Sequence, residues 1–277
     1  MYTPFDPVYQ PYSSQRYPIY ARGGMVNCSS PQAAAAGLEA LQNGGNAMDA
    51  AVAAAAALTV VEPTTNGIGG DAFALVWSAK DQKLYGLNAS GPAPMAASIE
   101  KLLADGSDEN GKMPTYGWTP VTVPGAPMAW AELTRRFGRR TLAENVAPAV
   151  RYGREGYPCA PNLAVLWKRA FEKFKMTCTA PAFAEWFNTF APNDRPYEAG
   201  DMVYFPHHAD TLEAIGETDA AAFYTGEIAK RIDAESRKYG GYLRYEDLAA
   251  YEAKWVEPIR VDYRGYQVCE IPPNGQG

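Results

Sequence analysis

The sequence predicts an α+β chain, and three observations predict it. Asn46 to Val61 is an almost unbroken alanine and valine run, apolar on every side, which reads as a buried helix rather than an amphipathic one. Pro63 ends that helix, and a turn rich in glycine (Asn66, Gly67, Gly69, Gly70) leads through Asp71 into the apolar run Ala72–Trp77, read as a buried strand. The polar spacer Ser78 to Gln82 then separates this strand from Lys83–Leu87, the spacing of an antiparallel hairpin.

Taken in order, residues 1–24 read as an extended arm closing on a turn at Gly23-Gly24, and Met25–Cys28 as a short strand. Ser30 is the N-cap of a helix with Pro31 at its first position and Gly44 just past its end. Ala34, Leu38 and Leu41 fall at helical spacing there and are expected to face the core. Asn46 caps the alanine-rich helix, with Asp49 three residues on, where a carboxylate favours a helix N-terminus. Only a glycine turn separates the two helices, so they are expected to pack as a hairpin. Beyond the strands, residues 98–104 read as helical and Gly106–Lys112 as a surface loop. Thr122-Val123-Pro124-Gly125 is a turn into a helix that runs to about Phe137 and stops at Gly138. Thr141 and Glu144 form a capping box for a helix reaching about Arg154 and closed by Gly156. Residues 160–215 alternate helical patterns with broken loops such as Ala191-Pro192-Asn193-Asp194. Two alternating strands, about Val256–Asp262 and Tyr266–Glu270, join through Arg264-Gly265 near the end.

The 277 residues suffice for one large domain, and 1–277 is expected to be a single one. A hydrophobic fraction of 47% excludes a disordered chain, and a net charge of −6 gives no electrostatic reason to expect nucleic acid or an anionic membrane as partner. Cys28, Cys159, Cys178 and Cys269 are scattered, with neither a disulfide framework nor zinc spacing. The start, MYTPFDPVYQPYSSQRYP, lacks the basic and apolar regions of a signal peptide, and Ala50–Val61 is too short to span a bilayer. A cytoplasmic location is therefore expected.

Few residues offer chemistry on their own. Gly67-x-Gly69-Gly70 lacks the Lys-Ser/Thr of a phosphate loop and the strand–turn–helix setting of a dinucleotide site, so it reads as a tight turn. His207 and His208 are the only histidines; adjacent residues face apart, so the pair reads as a surface feature. No serine sits in a G-x-S-x-G elbow. Glu144, Glu155, Asp201, Glu246 and Asp247 read mostly as solvated helix caps or faces, Asp247 as a helix-start residue. No cofactor or metal is expected.

The pieces NGGNAMDAAVA, then VVEPTTNGIGGDAFALVW, and later FYTGEIAKRI and GGYLRYEDLAAYEAKWVEPIRVDYRGYQV resemble the gamma-glutamyltransferase family in content and order. That resemblance covers nearly the whole chain. It implies a four-layer αββα N-terminal nucleophile hydrolase sandwich, of which this chain is the large-chain portion. It implies a precursor that cleaves itself, whose new N-terminal threonine attacks an amide with its own amine as base. The acyl group then passes to water or an amine acceptor, as in glutathione metabolism.

Two departures qualify what the resemblance implies. The threonine lies downstream of the loop matching Pro272-Pro273-Asn274-Gly275-Gln276-Gly277, so no catalytic residue is expected within the chain and the C-terminal small chain is its expected partner. In transpeptidases an arginine a few residues before an Ala-Pro pair binds the donor's α-carboxylate. Alignment on Ala93-Pro94 puts Ser90 there, and no arginine occurs between Arg22 and Arg135. Asn88 and Ser90 are the expected substrate-binding residues, through neutral hydrogen bonds. Three functions stay open: a gamma-glutamyl transferase or hydrolase, an acylase of the cephalosporin or glutaryl type, and a non-catalytic scaffold.

Overall fold

The computed structural model describes residues 18–104 and 112–277; the loop read at Gly106–Lys112, apart from Lys112 itself, and most of the N-terminal arm lie outside the described residues. In chain order the elements are α1 (Pro31–Gln42), α2 (Ala47–Val61), β1 (Ala72–Ser78), β2 (Lys83–Ala89), α3 (Ile99–Ala104), α4 (Ala126–Phe137) and α5 (Leu142–Glu155). There follow β3 (Tyr157–Pro158), α6 (Pro161–Thr177), α7 (Ala184–Phe190), β4 (Met202–Val203), α8 (Pro206–Glu217), α9 (Ala221–Tyr224), α10 (Glu227–Lys238) and α11 (Tyr245–Ala249). The chain closes with β5 (Lys254–Val256), β6 (Ile259–Tyr263) and β7 (Tyr266–Glu270).

Helix α2 is the centre of the core. Ala53, Ala56, Ala57 and Val60 are fully buried, and α1, α4 and α5 all pack against it. Small residues set the closeness of these contacts: a Cβ on Gly37 of α1 would lie 2.9 Å from the Ala50 carbonyl oxygen. This explains a departure from the helical spacing read in α1. Ala33, Ala36, Gly37 and Ala40 face α2, while Leu38 is 46% exposed. Backbones that approach through alanine and glycine leave no room for leucine between them. Ser30 occupies the N-cap position, but its hydroxyl bonds the Gln32 side chain and caps no backbone N–H. Met25–Cys28 forms no strand, having no ladder partner among the described residues.

The N-terminus of α2 is tied to α4 and α5 by one carboxylate. Asn46 and Asp49 form a capping box, and Asp49, fully buried, also accepts the backbone N–H groups of Arg139 (2.9 Å) and Arg140 (3.2 Å) and the side-chain amide of Asn145 (3.0 Å). In α5 the capping box of Thr141 and Glu144 forms as read. Pro148 inside α5 removes the N–H that the Glu144 carbonyl would accept, and the Arg140 guanidinium donates to that oxygen instead at 3.2 Å.

The main sheet has the order β1-β2-β5, all antiparallel. Its inner face, with Val76, Leu87 and Ala89, is buried against the helices. The strand β1 is not buried on both faces as its apolar run suggested. Phe73, Leu75 and Trp77 alternate onto an open outer face and are 42%, 41% and 57% exposed. The first C-terminal strand read from sequence is two strands, because Glu257-Pro258 breaks it: Val256 belongs to β5 beside β2, and β6 pairs only with β7. The β6–β7 turn places Arg264 (φ 52°) and Gly265 (φ 83°) in the left-handed region, as a two-residue hairpin requires.

Candidate functional site

The outer face of the sheet ends in a cleft of about 770 Å³ at the C-terminal end of β2. Its floor is fixed by two close backbone approaches. A Cβ on Gly91 would sit 1.6 Å from the Val123 carbonyl oxygen, and one on Gly125 would sit 1.8 Å from that of Ala89. Glycine at both positions lets the end of β2 lie directly on the Thr122–Gly125 turn, and the Gly70 carbonyl accepts the N–H groups of Gly125 (2.8 Å) and Ala126 (3.0 Å). The glycine turn after α2 therefore anchors the cleft floor through the Gly70 carbonyl; Gly67 and Gly69 themselves stand in open space.

The two substrate-binding residues expected from sequence, Asn88 and Ser90, both line this cleft. The Ser90 hydroxyl donates to Asn88 Oδ1 at 2.7 Å and accepts from Asn274 Nδ2 at 2.9 Å, while Asn88 Nδ2 donates to Asn274 Oδ1 at 2.9 Å. Asn274 reaches them because Ile271 crosses the outer face over Gly86, where a Cβ would lie 3.0 Å from Ile271 Cδ1. Sequence reasoning named the Pro272–Gly277 loop without foreseeing that it closes on Asn88 and Ser90.

Two more cleft residues were missed. Tyr251 is 7% exposed, and its hydroxyl has no hydrogen-bond partner among the described residues. Burial, with the Asp71 charge, pushes that phenol up to about 12, so it is a neutral donor. Lys254 is the direct cross-strand partner of Asn88, a relation visible only once β5 is registered against β2. Asp247 also lines the cleft but is spoken for: it accepts the N–H groups of Met95 and Arg244, both at 2.8 Å, the latter as part of the α11 cap. Its helix-start role was legible, whereas its burial corrects the expectation of a solvated carboxylate.

The histidines also correct the sequence reading. His207 is exposed, but His208 turns inward, with Nε2 3.1 Å from Thr59 Oγ1, and burial lowers it to about 4. The pair is no nucleophile and base. The Thr59 hydroxyl donates to the Ala56 carbonyl at 2.7 Å, so His208 must be the donor in their contact. Cys159 is equally inert, its thiol pushed up to about 11 by burial and the nearby Asp201 charge. A second cavity of about 370 Å³ is walled by Trp167, Phe174, Trp186, Phe187 and Phe190 and is lined by no charged residue.

The family model described as gamma-glutamyltranspeptidase matches residues 33–277, nearly the whole described chain. The chain belongs to this family. It is 32% identical over 261 residues to the glutathione hydrolase proenzyme of Bacillus subtilis (strain 168), a match covering 92% of this chain and 43% of that protein. Among solved structures, cephalosporin acylase from Bacillus halodurans is 54% identical with a TM-score of 0.92, covering 98% of this chain and 50% of that one. The Helicobacter pylori gamma-glutamyltranspeptidase is 31% identical with a TM-score of 0.83, covering 92% and 72%. The chain thus spans less than half the length of the curated relative it matches. These likenesses establish the α+β fold as part of the family's αββα N-terminal nucleophile hydrolase sandwich, as the sequence implied. Among the described residues no helix is long and apolar enough to cross a membrane.

Proposed function

We propose that this chain is the large-chain portion of a gamma-glutamyltransferase-like amidohydrolase, an enzyme that cleaves acyl amides of the glutathione type and passes the acyl group to water or an amine. The observation that carries the reading is the Asn88–Ser90–Asn274 cleft at the end of an open sheet face, in a chain of this family. In this reading the open face, with Phe73, Leu75 and Trp77, packs against a second sheet supplied largely by the C-terminal small chain. The nucleophilic threonine comes from downstream of Pro272–Gly277 and meets the acyl carbonyl at the mouth of the cleft. Its α-amine takes the hydroxyl proton, the carbonyl carbon gains the threonine oxygen, and the amine leaving group departs with that proton. Asn88 and Ser90 hold the acyl chain meanwhile. A cytoplasmic location belongs to the same reading.

The experiment is turnover of a panel of gamma-glutamyl and other acyl anilides by the full-length protein, with mass spectrometry of the small chain during turnover. The expected result is a mass increase equal to the acyl group. Absence of both adduct and turnover across the panel would favour a non-catalytic scaffold. A second reading, an acylase for another acyl group, is supported by Ser90 standing where an arginine is expected, and by the 54% identity to a protein titled cephalosporin acylase. A serine cannot replace the bidentate fork of a guanidinium.

A further inference from the structure

We infer that the cavity between α6 and α7 is a second binding site, separate from the Asn88–Ser90 cleft, and that it takes a neutral, flat aromatic molecule bearing one hydrogen-bonding group. The acyl-transfer reading is not needed for this, and the two sites have no lining residue in common. The walls begin with the sequence of α7, where Trp186, Phe187 and Phe190 are spaced to share one helical face. All three line the cavity, yet α7 contains no buried residue and each of these rings is only half-buried. The apolar face of α7 thus borders a space rather than a closed core. From α6 the cavity is lined by Trp167, fully buried, and Phe174, half-buried. The Trp167 indole N–H donates to the Phe190 carbonyl at 2.7 Å, which pins the end of α7 to α6 and uses the one polar atom of that ring.

Ring geometry and polar groups together set the ligand class. Edge-to-face contacts run from Tyr116 to Phe174 (5.4 Å, 74°), from Phe174 to Trp186 (4.8 Å, 83°) and from Trp186 to Phe187 (5.0 Å, 81°). Rings held in this way give a further flat ring the edge-on and offset contacts that aromatic pairs prefer, which an aliphatic chain cannot use. Among the described residues no charged side chain lines the cavity, so an ionised ligand would give up its hydration without a partner. The Thr64 hydroxyl, just past α2, is the exception to the apolar walls. It is buried and has no hydrogen-bond partner among the described residues. Buried polar atoms are rarely left so, and a hydroxyl can both donate and accept. A ligand with one polar group beside its ring satisfies it. A volume of about 370 Å³, mainly aromatic walls and a single buried polar anchor are the make-up of a small-molecule site.

The test is calorimetry on the full-length protein with 2-naphthol, naphthalene, 2-naphthoate and tetramethylammonium as probes. One 2-naphthol per chain is expected to bind, with 2-naphthoate about tenfold weaker or more. Thr64→Val removes the hydroxyl at nearly constant shape. It is expected to weaken 2-naphthol about fivefold, the scale of a neutral hydrogen bond, and to leave naphthalene unchanged. Trp186→Ala is expected to weaken both neutral probes about tenfold. Should Trp186→Ala fail to fold, the Thr64→Val comparison of 2-naphthol with naphthalene decides alone. No binding of 2-naphthol, or binding indifferent to both substitutions, would overturn the site. Binding lowered by Trp186→Ala but not by Thr64→Val would overturn the polar anchor. Tetramethylammonium or 2-naphthoate bound as tightly as 2-naphthol would overturn the neutral class, the first by showing that the rings hold a cation on their faces.

Discussion

Asp49 offers the sharpest test of how this fold is held. Its carboxylate is fully buried and accepts four N–H groups: from Asn46 (2.8 Å), Arg139, Arg140 and Asn145. Asp49→Ala orphans three backbone donors and one side-chain amide at once, and lets α2 separate from the α4–α5 junction. Each hydrogen bond to a charged group contributes about 1.5–3 kcal/mol, but the bonds are not additive and water enters the space vacated. A net loss of about 4 kcal/mol is expected, with Asp49→Asn costing about half because one acceptor oxygen remains. The pH dependence gives a second handle. Burial raises the carboxyl, but the bonds from Asn145 and the backbone outweigh it and hold the group below the usual carboxylate range. A depressed folded pKa means that the stabilisation is present above the unfolded value, about 3.9, and fades as pH falls through the folded one. The gap between wild type and Asp49→Asn should accordingly narrow only below about pH 4. Urea unfolding of the full-length protein at pH 7 and at pH 3 measures both. A loss under about 1 kcal/mol for Asp49→Ala would refute the view that this carboxylate joins three helices.

Other outcomes follow from the same structure. Gly125→Ala forces a methyl group onto the Ala89 carbonyl and is expected to cost about 3 kcal/mol, whereas Gly67→Ala, which meets nothing within 4 Å, should cost under about 1 kcal/mol; thermal melts of the two variants compare them. Ser90→Arg in the full-length enzyme should raise the preference for gamma-glutamyl over neutral acyl donors about tenfold, and an unchanged ratio in a folded variant would remove Ser90 from the acyl site. His208 is held neutral by burial, so the unfolded chain takes up a proton first as pH falls; stability should drop between about pH 6.5 and pH 4, and His208→Gln should flatten that part of the profile. The 277-residue chain alone should turn over no acyl anilide and should bind an apolar dye at its open sheet face, where Phe73, Leu75 and Trp77 stand uncovered.

Local signals in the sequence determined much of this protein. Capping residues are read from neighbours a few positions apart, so Asn46 with Asp49, Thr141 with Glu144 and Asp247 were all legible, as was the β1–β2 hairpin from its polar spacer. The order of the family motifs carried the fold, and the position before Ala93-Pro94 marked Ser90. Tertiary structure alone decided which apolar faces are covered. Leu38 and Leu75 look like core residues in the chain, but helix approach through alanine and a sheet packed on one side leave them exposed. It likewise decided that His208 turns inward, half-buried beside Thr59, 149 residues away in sequence. The cleft follows the same rule. Asn88, Lys254 and Asn274 meet because β5 pairs with β2 and the Ile271–Asn274 segment crosses above them. No local periodicity encodes that meeting, since register between strands some 166 residues apart is fixed only when both bury their common face on the same core.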